Sequence, residues 1–561
     1  MSKIRIIKSL NNYSDGSEDL ILNILKNATD VSSTSDELRE KISDWPTDYH
    51  LNRERVGILF PLMLNRNLRV LDVGGGSGII SRYLAEEVSS VTILEGEHVR
   101  ALAAEERCRD LDNVEIIVGE ISDLDTNNEF DLIVVIGVLE YIGLAQANEW
   151  LRQINKLLAK DGTLILAIEN RLGIKYFMGY PEDHTGNFWE GILNYLEKDK
   201  PRTYSKNELG ALLNESGFQY QNWWYPFPDY KMPTTILSEE VLDKLNAEEI
   251  SSLIRRPFQN AGHEVLIEFD HKNLIDSIAK AGILDQLANS FLVVAGKDSK
   301  SNNFQEDALI IKVDENERKK DFRRVSFLKG NNKFLNWERR IIGDLEISHN
   351  HYYIDHKVVQ TPWIPGDNLF YELSKKTSNL KSELELIIKL QLVDIVKKMK
   401  LNDEEVEVNP YLPKTECLSQ YVDNFDIGLE NFIVFEDEMT FIDTEWGSKR
   451  GVCQELAILR AIFWLLSNNK QFWSNLNLNN DLLWDCSAEI ARSVLGKLHH
   501  TLEDFIEAES WFLGQVNIHD QSYYHSALKL RANLGNKDFK KPDEKLPLSD
   551  YAINKINNTK N

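Results

Sequence analysis

The chain has 561 residues, 42% hydrophobic and 10% aromatic, enough apolar material for folded cores and too much for wholesale disorder. Its 64 Lys and Arg against 89 Asp and Glu leave a net charge of −25, which repels polyanions and excludes a general nucleic-acid binder. One core cannot hold a chain this long, so two or three domains are expected.

Residues 1–44 carry a polar, Ser/Asp/Thr-rich stretch from Asn27 to Glu37 and read as a loosely held leader. The segment Met1 to Lys8 is charged and lacks the apolar core of a signal peptide. The longest apolar run, Leu132 to Leu139, falls far short of the ~20 residues of a membrane helix. Cys108, Cys417, Cys453 and Cys486 are scattered without a C-x-x-C pair, which suggests neither a zinc site nor a disulfide framework. A reduced, cytoplasmic protein without a transmembrane segment is expected.

The first folded domain begins near Trp45-Pro46 and extends to about residue 298. The strand Arg69-Val70-Leu71-Asp72-Val73 runs into the turn Gly74-Gly75-Gly76-Ser77-Gly78, then into an amphipathic helix. Glycines let the main chain approach a ligand, and the helix start presents unpaired N–H groups and a positive dipole end. A second strand, Val91 to Leu94, delivers Glu95 where a ribose-binding carboxylate belongs. In the G-x-G-x-x-G frame of dinucleotide sites the third glycine is replaced by Ile79 or by Ser81, which counts against a nicotinamide coenzyme. A third strand ends at Val118-Gly119-Glu120-Ile121, and a fourth begins at Phe130 and leads into Ile136-Gly137-Val138-Leu139-Glu140-Tyr141. A turn at Lys160-Asp161-Gly162 opens a fifth strand, and Phe218 to Tyr225 reads as a sixth. After a helical insertion over about 232–288, Ser290 to Ala295 is the seventh.

This order resembles the class I methyltransferases, which use S-adenosylmethionine (SAM). The resemblance implies an α/β fold with a Rossmann-like seven-stranded sheet whose last strand is antiparallel. It implies that Asp72, Gly74, Gly76 and Gly78 cradle the methionine and ribose part of SAM and that Glu95 holds the ribose hydroxyls. Gly96 and Tyr49 join the cofactor's surroundings, Glu120 and Ile121 the adenine, and Ile136 and Gly137 line the pocket. The alternative is an ordinary αβ core with a glycine-rich turn.

Segments after strand C-termini face the ligand crevice of such a sheet. That makes Asn170, Arg171, Asp183 and His184 candidate acceptor contacts, with Arg55 before the first strand and Lys175 after the fifth. If the acceptor is a hydroxyl, His184 can take its proton, an effect worth ~10²–10⁴ in rate. If it is a phosphate, no base is needed and Arg55, Arg171 and Lys175 position it.

Beyond the polar linker Asp298 to Asp307 the pattern changes, and residues 299–535 read as a second domain followed by a polar tail, 536–561. Ala308–Val313, Phe322–Leu328, Lys333–Ile341 and Tyr352–Val359 suggest a meander of strands, and Ser382 to Lys400 an amphipathic helix. Asp426-x-x-x-x-Asn431, a β-hairpin, and an apolar strand ending in Asp443 resemble the aminoglycoside-phosphotransferase type of kinase. That resemblance implies a two-lobed α+β domain that uses ATP and Mg²⁺, with Asp426 as base, Asn431 and Asp443 as metal ligands, and Val359 to Asp367 as hinge. Lys312, Lys333, Arg339 and Arg340 are equal candidates for the nucleotide phosphates. Alternatively Asp426 and Asp443 are turn residues capping a hairpin.

Taken together, I-G-V-L-E-Y, E-N-R-L-G-I-K-Y, P-E-D-H-T-G and I-D-T-E-W resemble the kinase–methyltransferase family that terminates polymannose O-antigen chains. The resemblance implies a glycan or lipid-linked sugar acceptor, phosphorylated and then methylated, and glycosyltransferases as partners at the inner face of the membrane. Leu482 to Leu513, with Trp484 and Trp511, reads as packed helices where that family continues into a coiled coil. Two other readings stay open. One is a sugar O-methyltransferase with a non-catalytic kinase-like binding domain, and the other a non-enzymatic scaffold for glycosyltransferases.

Overall fold

A computed structural model describes residues 3–10, 16–125, 129–196, 201–254, 271–297, 307–313, 318–319, 322–331, 334–341, 352–354, 360–374, 379–392, 421–422, 427–435, 438–442, 446–448, 452–468, 476, 478, 480, 482–517 and 519–534. The chain divides into two compact units, the first comprising residues 1–266, 270–347 and 357–363, the second 267–269, 348–356 and 364–561.

The first unit is built on one large sheet. Its strands are β1 (Ile4–Ile6), β2 (Arg69–Val73), β3 (Ser90–Glu95), β4 (Val114–Val118), β5 (Phe130–Ile136), β6 (Leu158–Glu169), β7 (Tyr220–Phe227), β8 (Thr235–Ser238), β9 (Ser290–Gly296), β10 (Ala308–Val313), β11 (Arg324–Asn331), β12 (Phe334–Ile341) and β13 (Gln360–Pro362). They lie in the order β1-β4-β3-β2-β5-β6-β9-β7-β8-β10-β11-β12-β13. Strands β4, β3, β2, β5 and β6 are parallel, and β9 sits antiparallel between β6 and β7. This is the seven-stranded Rossmann-like arrangement expected from the order of motifs.

The central strands are near-continuous apolar runs because both faces are covered. Alternate residues serve opposite faces: Leu71, Ile133, Val135, Leu164 and Leu166 join one core, and Val70, Leu132, Val134 and Ile165 the other. Parallel strands also end on one edge, so the segments after β2, β3, β5 and β6 meet there.

Two expectations change. The leader is not loose: β1 pairs in parallel with β4, through Ile4↔Ile116 to Ile6↔Val118. Helices α1 (Glu18–Asn27) and α2 (Asp36–Glu40) bury Ile21, Leu22, Leu25 and Leu38 against Leu51 and Ala103. The apolar positions of α1 lie within a polar sequence, and only the fold reveals what they pack against. The boundary near 298 moves as well. Strand β10 pairs with β8 through Ile310↔Leu237, Ile311↔Ile236 and Lys312↔Thr235. The meander β10-β11-β12-β13, expected as the first lobe of a kinase-like domain, therefore extends the same sheet. An unpaired β8 edge with buried Ile236 and Leu237 needs a partner, and β10 supplies it.

The second unit holds the three-stranded sheet Asp367–Asn368, Phe432–Phe435 and Glu438–Phe441. It also contains helices Gln454–Asn468, Leu483–Leu495, Leu502–Val516 and Gln521–Ala532. The helix expected over Ser382–Lys400 spans Leu380–Ile387 and runs on as a π-helical turn to Leu392; its remainder and the tail 536–561 lie outside the described residues. No helix among the described residues is long and apolar enough to cross a membrane.

Candidate functional site

The turn after β2 is built for close approach. Gly74 has φ +71°, and a Cβ there would meet Val138 Cγ2 at 2.5 Å, so only glycine fits. Its N–H donates to the Leu94 carbonyl at 2.7 Å, which fastens the turn to the end of β3. The carboxylate of Glu95, the last residue of β3, accepts the Gly76 N–H at 2.8 Å and the Glu97 N–H at 2.9 Å. Burial pushes its pKa up, and those two N–H groups pull against the rise. Asp72 is buried too; burial pushes its pKa up to about 6 despite the Ser81 hydroxyl that donates to it.

A cavity of about 1200 Å³ opens along this edge of the sheet. Tyr49, Gly74, Glu95, Gly96, Glu120, Ile121 and Gly137 line it beside the glycine turn. Glu140, Lys175, Asp183, His184, Asp229, Tyr230 and Lys231 line it beyond β5. Strands β3 and β6 stand three positions apart, so Glu95 and Glu169, which end them, are separated by about 14 Å of sheet.

The second group is an ionic cluster. Glu169, fully buried, accepts from the Lys231 ammonium and lies 3.3 Å from His184 Nε2. Lys231 also faces Asp183 at 3.6 Å and Asp229 at 3.7 Å. Lys175 is 2.7 Å from Asp183 and 3.9 Å from Asp229, and Tyr176 donates its hydroxyl to Asp183. Glu140 Oε1 lies 3.9 Å from His184 Nε2, and neither Glu140 carboxylate oxygen has a hydrogen-bond partner.

The protonation states follow from these neighbours. Burial favours the acid form of Glu169, yet Lys231 and then His184 hold it well below the usual carboxylate range. Burial also favours a neutral His184, but Glu169 and Glu140 raise it to about 9. Glu140, buried and beside Glu169, rises to about 8. Burial favours protonated Asp183 as well, yet Lys175 and Lys231 bring it down to about 2.

The remaining expected residues lie elsewhere. Asp72, Gly76, Gly78 and Ile136 are not among the cavity-lining residues; they shape the turn and strands beneath it. Arg171 grips Glu208 with two bonds, 2.7 and 3.1 Å, and so is held on helix Lys206–Glu215 rather than in the cavity. Asn170 is fully buried and donates at 2.8 Å to the carbonyls of Gln286 and Ala288, a fastening of the strand end. Arg55 stacks over the Tyr49 ring at 3.8 Å, behind a residue that does line the cavity. His184 lines the cavity, where Glu169 and Glu140 favour its protonated form.

In the second unit, Asn431 is buried and its carbonyl accepts the Ile442 N–H at 2.9 Å. The expected hairpin is present as Phe432–Phe435 against Glu438–Phe441. Asp426, Asp443 and Lys333 lie outside the described residues. Lys312, Arg339 and Arg340 fall on β10 and β12 of the first unit; Arg339 donates to Thr361 at 3.2 Å, and Arg340 is 2.6 Å from Glu338.

Sequence reasoning reached the segments holding Glu140, Glu169, Asp229 and Lys231 without singling out those residues. The available signal was position: Glu169 ends β6, Glu140 follows Gly137 after β5, and Asp229 and Lys231 follow β7.

Comparison with known proteins bears on this unit. Residues 46–235 match a family model described as a methyltransferase domain. A segment of 107 residues is 33% identical to the cyclopropane-fatty-acyl-phospholipid synthase of Escherichia coli K12, covering 19% of this chain and 27% of that protein. The chain thus spans about a quarter of the curated relatives it matches. Among solved structures, the phospholethanolamine N-methyltransferase 2 of Haemonchus contortus is 18% identical, with a TM-score of 0.28, over 44% of this chain and 52% of its own. A TehB-like SAM-dependent methyltransferase of Corynebacterium glutamicum is 15% identical, with a TM-score of 0.25, over 44% and 88%.

Proposed function

We propose that the first unit transfers a methyl group from SAM to a hydroxyl of a glycan or lipid-linked sugar in bacterial surface-polysaccharide biosynthesis. One observation carries the reading: the glycine turn with Glu95 and the ionic cluster share a single cavity, inside the span that matches a methyltransferase domain. Glu95, Gly74, Gly96, Glu120, Ile121 and Gly137 would hold the cofactor. The residues present fit it: only glycine at position 74 lets the turn pass Val138 on the cavity wall, and the Glu95 carboxylate has lone pairs left after its two N–H bonds. When bound, SAM supplies an electrophilic methyl group on a sulfonium.

The acceptor lies beyond β5 in this reading. Lys175, Lys231 and His184 are all held by carboxylates, so none of the three is left to bind an anionic phosphate. A sugar hydroxyl, by contrast, can donate to Glu140, whose carboxylate takes the hydroxyl proton as the methyl–sulfur bond breaks and the methyl–oxygen bond forms, while Tyr49, Tyr141 and Tyr180 offer rings to the sugar's apolar face. This favours direct O-methylation over methylation of a phosphate already installed. The test is incubation with methyl-labelled SAM and mannose- or rhamnose-terminated acceptors, with and without ATP. Label on the acceptor without ATP supports the reading; label that requires ATP, or none, refutes it.

A second reading concerns the second unit, as a phosphotransferase using ATP and Mg²⁺. The Asn431 carbonyl to Ile442 N–H bond supports it, because it brings Asn431 beside the residue preceding Asp443. Transfer from γ-labelled ATP to the same acceptors, lost in Asp443→Ala, is the expected outcome; no transfer leaves a binding module or a scaffold for glycosyltransferases.

A further inference from the structure

We propose that Glu140, Glu169 and His184 form a site for one divalent transition cation on the wall of this cavity. One donor atom from each lies within 4.8 Å of the other two, with His184 Nε2 at 3.3 Å from Glu169 Oε2 and 3.9 Å from Glu140 Oε1. Neighbouring donors on a cation with bonds of about 2.1 Å stand about 3.0–3.4 Å apart. The longest edge, between the two glutamates, therefore needs to close by up to roughly 1.4–1.8 Å.

A second observation points to a ligand. Glu140 is only 1% exposed, and both its oxygens lack a hydrogen-bond donor. Buried carboxylates are ordinarily paired with a cation or bonded to donors. A divalent ion bound here displaces the protons that Glu140 and His184 otherwise carry, two protons for two charges. Glu182 beside them is satisfied by the His184 and Thr185 N–H groups and the Tyr195 hydroxyl.

The surroundings suit ligation. Lys231 bonds Glu169 Oε1 and leaves Oε2 turned to His184. The Tyr141 hydroxyl, 3.2 Å from His184 Nδ1, fixes the ring with Nε2 toward the glutamates. One imidazole and two carboxylates suit Mn²⁺, Fe²⁺ or Zn²⁺ better than Ca²⁺. Glu140 and His184 line the cavity, so the open positions face it, where an acceptor hydroxyl can bind and be polarised. That last role rests on the proposed methyl transfer; uptake of the cation does not.

The test uses the full chain, dialysed against EDTA, without SAM or acceptor, titrated with MnCl₂ while the signal of free Mn²⁺ is followed by electron paramagnetic resonance. One tightly held Mn²⁺ per chain is expected, weakened in Glu140→Gln by more than the ~10- to 100-fold that loss of an outer-shell partner costs. A circular dichroism melt shows whether that variant folds. If it does not, anomalous diffraction from Mn²⁺-soaked crystals of the unaltered protein decides. A peak between the three side chains supports the site. No uptake at millimolar Mn²⁺, uptake unchanged in Glu140→Gln and His184→Gln, or an anomalous peak elsewhere overturns it. Methyl transfer is assayed separately, so either proposal can fail alone.

Discussion

The Glu95 carboxylate accepts the Gly76 N–H at 2.8 Å and so ties the end of one parallel strand to the glycine turn of its neighbour. Glu95→Ala removes that bond and the acceptor proposed for the ribose. Losing one partner of a charge-assisted hydrogen bond costs about 1–3 kcal/mol. SAM affinity by calorimetry is expected to fall by roughly 5- to 150-fold. Unchanged affinity would place the cofactor elsewhere.

The sheet does not stop at the end of the methyltransferase match. A chain ending at residue 298 lacks β10 and leaves the β8 edge open, with Ile236 and Leu237 uncovered. Such an edge templates association. Light scattering should find the 1–298 chain aggregated and a 1–363 chain dispersed; equal behaviour would contradict the pairing.

Arg171 binds Glu208 rather than the cavity. Arg171→Ala should therefore lower stability by about 0.5–1.5 kcal/mol, a modest figure because Glu208 is partly exposed to solvent screening. Acceptor KM in the methyl-transfer assay should not move. A raised KM at unchanged stability would restore Arg171 as an acceptor contact.

The Lys231 ammonium neutralises fully buried Glu169. Lys231→Met strands that carboxylate, and breaking a buried pair in this way costs about 3–5 kcal/mol. Urea denaturation of the double variant Lys231→Met, Glu169→Leu should recover much of the loss. If the single variant melts like the unaltered protein, the pair is not structural.

In the second unit, Glu455 accepts the backbone N–H groups of His499 and His500, both at 2.8 Å, as well as bonds from both rings. Burial opposes its charged form, but these bonds prevail and lower its pKa from 4.5 to about 2. As pH falls, the unfolded chain takes up this proton first. The stabilisation is therefore complete above about pH 5 and is lost as pH falls toward 2. Glu455→Gln should flatten that part of the acid-denaturation profile by about 1–2 kcal/mol. An unchanged profile would refute the assignment.

Much of the first unit was legible because its signals are local. A buried parallel strand needs an unbroken apolar run, so the strands and Glu95 at the end of one of them could be read residue by residue, whereas the contact that demands Gly74 comes from Val138, 64 residues on. The rule that strand ends face the crevice fixes where a segment lies, not which way each side chain points, so it could not place the side chains of Asn170 and Arg171. Arg171 turned to Glu208, 37 residues on, and only the folded chain brings that carboxylate within reach.

By itself, the sequence marked the strands, the glycine turn and Glu95, since a buried strand is an unbroken apolar run, while the order of those strands in the sheet came from the resemblance to class I methyltransferases. Tertiary structure alone decided that the later meander extends the first sheet. It alone decided that Glu140, Glu169, His184 and Lys231, drawn from four separate segments, share one buried cluster. Strand pairing and ion pairing between distant segments depend on which partners arrive at a given edge or pocket, and a linear pattern does not encode that arrival.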